Sequence, residues 1–321
     1  MCLVPFLLFT SCENEESTPA FQNKCIKRSL GPNVAGQEIE FVYAVAIQPG
    51  AGRLVSAQVE ASIAGAPATY LEHRSYHTAV NGIETAVVVG NPCVNSGNIT
   101  QVEFTADTCA AALRYFYAIP EEAKGKNLKF IFSAVASNGE RVSMEMGEYR
   151  IAEMDIKLDL AVSASQCYIS LEDMAVYTAA QAAAVPGKID LVYLYRNYNV
   201  DTVVFNHAFV APATGVVKYL PGVTLPSGVN RDTKIRNTGI KDAHLARLHQ
   251  KGEAQPAIYI DDIDLREMDM SRMPNYALDI ITNDGMWLET QDGIYKAYIF
   301  ANNMNRGRAG GTISIKRLKI K

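Results

Sequence analysis

Apolar and polar positions from residue 34 to 155 alternate with the period of strands, not helices. Ile39 to Ala46 is a β-branched and aromatic run that stops at Pro49-Gly50-Ala51-Gly52. Leu54 to Ile63 alternates, which puts Val55, Ala57, Val59, Ala61 and Ile63 on one face. Val87-Val88-Val89 ends at Gly90-Asn91-Pro92, and Ile99 to Phe104 alternates again. Leu113 to Ile119, Leu128 to Ala136 and Val142 to Ile151 follow, with Asn138-Gly139 between the last two. About seven short strands separated by turn signals predict an immunoglobulin-like β-sandwich. The Cys…Trp…Cys core of antibody domains is missing, because the single tryptophan is Trp287.

From residue 156 to 321 the pattern becomes mixed and predicts an α+β domain, within a chain that is mainly β. Leu158 to Val162 and Tyr168 to Ser170 read as strands. Ser170 is placed to cap a helix that runs through the alanine-rich stretch to Ala184 and stops at Pro186-Gly187. Ile189 to Tyr195 is too apolar to face water on one side and is expected to be central in its sheet, with Tyr193 and Tyr195 packed on one face. Val203 to Val210 is a strand and Ile240 to Gln250 a second helix. Ala257 to Leu265, Ala277 to Thr282, Met286 to Thr290, Ile294 to Ala301 and Thr312 to Ile320 read as strands, with Asp284-Gly285 and Asp292-Gly293 as hairpin turns. The expected arrangement is a largely antiparallel sheet with two helices.

The start of the chain changes the picture from fold to location. Residues 1–11 read as a signal peptide whose apolar run, Leu3 to Phe9, is too short to span a bilayer. Phe9-Thr10-Ser11-Cys12 resembles the lipobox of bacterial lipoproteins, in which the peptidase reads the apolar and small residues and the new N-terminal thiol carries the lipid. No Lys or Arg precedes the apolar run. Residues 12–33 are then a lipidated linker, and Glu13, Asn14, Glu15 and Glu16 resemble the surface-export signal of Bacteroidetes lipoproteins. The lipobox, a sandwich-like first half and a mixed second half containing Tyr177 to Ala182 and Ile189 to Tyr193 together resemble Bacteroidetes surface lipoproteins of unknown function. That resemblance implies an outer-membrane, outward-facing protein, a membrane partner through the Cys12 anchor, and extracellular glycan as a ligand class. It brings no catalytic residue.

Composition sets limits. Net charge is −4 over 321 residues, with 20% charged, which argues against a nucleic-acid surface. Beyond Cys2 and Cys12, Cys25, Cys93, Cys109 and Cys167 allow three pairings or free thiols, and no CxxC marks a zinc site. No GxSxG, HExxH, Walker loop or GxGxxG occurs, and neither catalysis, a cofactor nor a metal is expected. His73 and His77 share one face only on a helix, which their neighbours disfavour. Asp261, Asp262 and Asp264 read as a strand end running into a solvated turn. Lys316, Arg317, Lys319 and Lys321 read as the solvated side of an edge strand.

Aromatic residues near polar groups give the binding hypothesis, because sugar rings stack their C–H faces on Trp and Tyr. Trp287 with Glu289, then Tyr295 on the next strand, then Asn302, Asn303 and Arg306 in a polar loop, are the candidate ligand contacts. Tyr295 and Tyr298 differ by an odd number, so only one of them can share a face with Trp287. The leading function is non-catalytic carbohydrate binding for uptake. The alternatives are a structural or adhesive surface protein that binds another protein, such as an outer-membrane partner, and a hydrolase, which would need two facing carboxylates in a cleft.

Overall fold

The computed structural model describes residues 20–196, 206–214, 224–238 and 260–321. The signal peptide, Cys12, the helix expected at Ile240 to Gln250 and the start of the strand expected at Val203 lie outside these residues. The described chain is mainly β and its sheets are mostly antiparallel.

In the first half two sheets pack face to face. One holds Phe21–Lys27, Glu38–Ile47, Ala110–Ala118 and Tyr70–Leu71, in that order. The other holds Asn33–Val34, Arg141–Ala152, Asn127–Ala136, Leu54–Ala61, Ile99–Glu103 and Val94–Ser96. Alternation drives the packing: Ile39, Phe41, Tyr43, Val45 and Ile47 point inward from one strand and meet Leu128, Phe130 and Phe132 from the other sheet. Phe41 is the hub, with the rings of Phe130, Phe132 and Tyr149 at 4.9, 5.3 and 5.6 Å.

Three expectations are corrected here. Residues 12–33 are not all linker, because Phe21–Lys27 pairs along its length with Phe41 to Ile47 and buries Phe21 and Cys25. Val55 faces out, since a register shift between Val135 and Ala136 turns Leu54 into the core instead. Val87 and Val88 belong to neither sheet: Glu84–Val88 pairs only with Arg74–Thr78, as a ribbon beside the sandwich, and both valines are exposed.

The second half is two five-stranded antiparallel sheets, not one. The first runs Asp155–Val162, Gly311–Lys319, Tyr295–Met304, Gly285–Glu289, Lys234–Asn237. The second runs Ala175–Thr178, Gln166–Ser170, Leu191–Tyr195, His207–Val210, Tyr276–Ala277. Ile169, Leu191, Tyr193 and Phe209 face Met286, Leu288, Ile299 and Ile315 across the core. Leu191–Tyr195 is central and apolar on both faces, because the helix Ala179–Ala184 covers the outer side through Ala182. That helix starts later than expected. Ser170 Oγ does accept from Asp173 N, at 3.1 Å, but Met174 at φ 48° turns the chain into a strand first. Thr178 and Gln181 then form the capping box.

Asp284-Gly285 is not a hairpin turn either. Asp284 N donates to Ile281 O at 3.1 Å, so the turn closes earlier and Gly285 is already in the strand. A Cβ there would lie 1.7 Å from Tyr298 Oη, so the Tyr298 ring on the neighbouring strand requires the glycine.

The acidic segment is a helix, Asp262–Glu267, with Asp261 accepting from Ile263 N and Asp264 N and Asp264 accepting from Asp261 N. It joins the two halves. Asp262 is fully buried and takes Arg150 Nη1 and Nη2 at 2.9 and 2.5 Å and Glu153 N at 2.9 Å. Burial pushes the Asp262 carboxyl up, but Arg150 and the Glu153 N–H outweigh it and hold it below the usual value. Around this pair Val34, Ala152 and Met154 pack on Ile260, Leu265, Tyr298 and Leu318. Arg150→Ala is expected to cost about 2–3 kcal/mol, the loss of charged hydrogen bonds to a buried carboxylate. Urea unfolding at pH 7 measures it. The deficit should shrink as pH falls through the depressed Asp262 value, because the native chain loses the same contribution there.

Candidate functional site

The strand Gly311–Lys319 is flanked on both sides, so its basic residues are not those of an edge. Lys316 is buried and donates to Ile260 O at 2.8 Å, and burial lowers it to about 8. Arg317 pairs with Asp155 and donates to the carbonyls of Leu171 and Glu172. Held in this way, its guanidinium lies over the Tyr295 ring at 5.0 Å. Register places Tyr295 directly opposite Lys319.

Tyr295 and Lys319 line one side of a polar cleft of about 220 Å³ between the ends of the two sheets. Its floor is an ion-pair chain. Asp190, just before the central strand, is buried and accepts from Leu171 N at 2.8 Å and Thr233 Oγ1 at 3.4 Å. Arg231 Nε lies 2.9 Å from Asp190 Oδ1, an ion pair whose N–H is not aligned as a hydrogen bond. The same guanidinium donates to Asp292 Oδ2 and to Gly187 O, each at 2.7 Å. Burial pushes Asp190 up to about 6 in spite of the Leu171 N–H and Arg231. Burial also acts on Asp292, but Ile294 N, Thr290 Oγ1 and Arg231 outweigh it and bring it to about 2. Glu172 pairs with Lys188 at 2.8 Å on the rim.

The expected ligand residues do not converge. Tyr295 lines this cleft. Trp287 lies opposite Tyr298 in register, with the rings edge to face at 4.8 Å, and packs into the core that joins the halves. Trp287 and Tyr295 therefore occupy opposite faces of the sheet. Glu289 is drawn to Lys234, 3.7 Å away. Asn302 Nδ2 donates to Asp159 Oδ1 at 2.9 Å and Asn303 is exposed, both at the far end of the Tyr295 strand, roughly 24 Å along it. Arg306 lines a separate cavity of about 330 Å³ beside His207. There the buried His207 ring bridges Tyr193 Oη and Asn305 O, at 2.7 and 2.8 Å.

Sequence reasoning missed Asp190, Arg231, Asp292 and Lys319. Asp190 carried a signal, a carboxylate beside a fully apolar strand, which must find a partner when buried. Arg231 and Asp292 carried none, because the one sits in a loop and the other was read only as a turn residue. Cys25, Cys93, Cys109 and Cys167 are free thiols, with burial pushing Cys25 to about 12 and Cys167 to about 11. Among the described residues no three His, Cys, Asp or Glu side chains are grouped to hold a metal, and His77 bonds Thr85 Oγ1 at 2.7 Å.

A two-sheet sandwich packed through Arg150–Asp262 and a shared apolar cluster on a second pair of sheets that carries a polar cleft defines the class of protein. The chain belongs to the DUF4466 family. The model described as "Domain of unknown function (DUF4466)" matches residues 18–151, and "Domain of unknown function (DUF8576)" matches residues 152–320. A crystal structure of a DUF4466 family protein from Parabacteroides merdae is 41% identical, with a TM-score of 0.83, over 94% of this chain and 99% of that one. Two other structures align at 10% identity. The major pilin subunit of Bacillus cereus has a TM-score of 0.29 over 49% of this chain and 50% of its own. The Actinomyces fimbrial adhesin FimA has 0.30 over 94% and 97%. Similarity at that level carries no argument. No curated protein matches the chain.

Proposed function

We propose that this is an outer-membrane surface lipoprotein, anchored through Cys12, that binds extracellular carbohydrate for uptake without acting on it. The observation that carries the ligand class is the cleft. It offers the Tyr295 ring and phenol beside Lys319, Lys321 and the Glu172–Lys188 pair, over a floor fixed by Arg231. Its volume is below the roughly 300–1,000 Å³ of drug-sized sites, which suits one sugar ring or a chain end. Arg231 lies between Asp190 and Asp292 and forms an ion pair with each, which supports binding over hydrolysis by that carboxylate pair.

A glycan array probed with the full chain should give binding that Tyr295→Ala reduces at least about tenfold, the size of one lost ring contact. Absence of binding across host and plant polysaccharides would remove the carbohydrate reading. Replacing Cys12 by alanine should move the chain from the membrane to the soluble fraction, and retention in the membrane would remove the anchor.

A second reading, protein adhesion, is favoured by the ribbon of Arg74–Thr78 and Glu84–Val88. It exposes Val80, Ile83, Val87 and Val88, and Glu84–Val88 pairs only with its partner strand. Recovery of a defined outer-membrane protein through this ribbon, lost with Val87→Lys, would favour that reading.

A further inference from the structure

We infer that the cleft selects an anionic sugar, one bearing a carboxylate or a sulfate; this rests on the carbohydrate reading above and narrows it. The carboxylates of the cleft are already satisfied. Asp190 is held by Leu171 N, Thr233 and Arg231. Asp292 is held by Thr290, Ile294 N and Arg231. Glu172 is held by Lys188. Each carboxylate lining the cleft therefore has its cation or N–H donors, and none is left to repel an incoming anion unscreened.

The cations are not matched in the same way. Arg231 is consumed by its two aspartates and Lys188 by Glu172 and Asp173. Lys319 has no hydrogen-bond or ion-pair partner among the described residues. Among the described residues Lys321 Nζ reaches only the Asp292 carbonyl, at 3.5 Å. These two ammonium groups stand on the side of the cleft where Tyr295 presents a phenol that also bonds nothing described. The sheet fixes the spacing, because Tyr295 and Lys319 are cross-strand partners and Arg317 braces the ring from the next position on that face. An anion seated between Lys319 and Lys321, with its sugar ring against Tyr295, makes charge-assisted hydrogen bonds that are about twice as strong as those a neutral hydroxyl makes. In the lining Lys188, Arg231, Lys319 and Lys321 outnumber Glu172, Asp190 and Asp292 by one, whereas the whole chain carries −4.

The test compares uronic-acid oligosaccharides, sulfated oligosaccharides and their neutral counterparts by titration calorimetry on the full chain at low and high salt. The expected result is binding of at least one acidic class about tenfold tighter than its neutral counterpart at low salt, with the advantage lost near 1 M salt. The Lys319→Gln, Lys321→Gln double variant should lose that advantage and keep the native unfolding midpoint, because neither lysine supports the fold. The two acidic arms tell carboxylate from sulfate. Equal binding of neutral and acidic sugars would overturn the inference and leave the carbohydrate reading standing. An acidic preference that survives the double variant would also overturn it. No binding to any sugar would remove both.

Discussion

Phe41→Ala is expected to destabilise the chain by about 3–5 kcal/mol, the range for deleting a buried aromatic ring from a core that cannot collapse around the gap. The site cannot relax easily. Phe41 is fully buried, and its ring touches Phe130 and Phe132 from the facing sheet and Tyr149 beside them, while Tyr115 stacks at 6.2 Å from its own sheet. Each of those rings is itself held in a strand, so the void persists. Urea denaturation should show a lower midpoint with an unchanged slope. A loss under about 1 kcal/mol would mean that the two sheets are less closely packed than described here.

Arg231→Ala is expected to cost about 3 kcal/mol at pH 8, because it leaves Asp190 buried without its counter-ion. The pH dependence gives a sharper signature. Asp190 already sits at about 6, above the roughly 3.9 of an unfolded aspartate. A carboxyl raised on folding contributes stability that is complete below its unfolded value and is lost as pH rises through its folded value. Without Arg231 the folded value rises further. The variant therefore keeps losing stability between pH 6 and 8, where the native chain has finished. Its deficit should be small at pH 5 and full at pH 8. A deficit independent of pH would show that Arg231 acts through packing instead of charge.

The sandwich was legible because alternation is a local property. Ile39 to Ala46 and Leu128 to Ala136 each announce a strand with one buried face, and both are strands. Phe21–Lys27 was hidden because its polar residues Gln22, Asn23 and Lys24 break the apolar pattern, and its place comes from pairing with Phe41 to Ile47, far away in sequence. The Asp261 helix was hidden for a related reason. Its cap is carboxylate to backbone in both directions, and its burial depends on Arg150, more than a hundred residues earlier.

The candidate site was the least legible part. Trp287 and Tyr295 look adjacent on a hairpin, and parity alone placed only one tyrosine on the tryptophan's face. That tyrosine is Tyr298, which joins Trp287 in the core between the halves and leaves Tyr295 alone at the cleft. The cleft itself draws Glu172, Asp190, Arg231, Asp292 and Lys319 from separate strands and loops, and no spacing in the sequence links them.

Hydrogen exchange on the full chain, with and without the tightest-binding sugar, reads directly whether the cleft at Tyr295 is where the ligand binds. New protection is expected at Leu171 and Glu172, at Ile294 and Tyr295, and at Lys319, with the sandwich and the Trp287 strand unchanged. Protection confined to the sandwich, or to Trp287 and its neighbours, would contradict it.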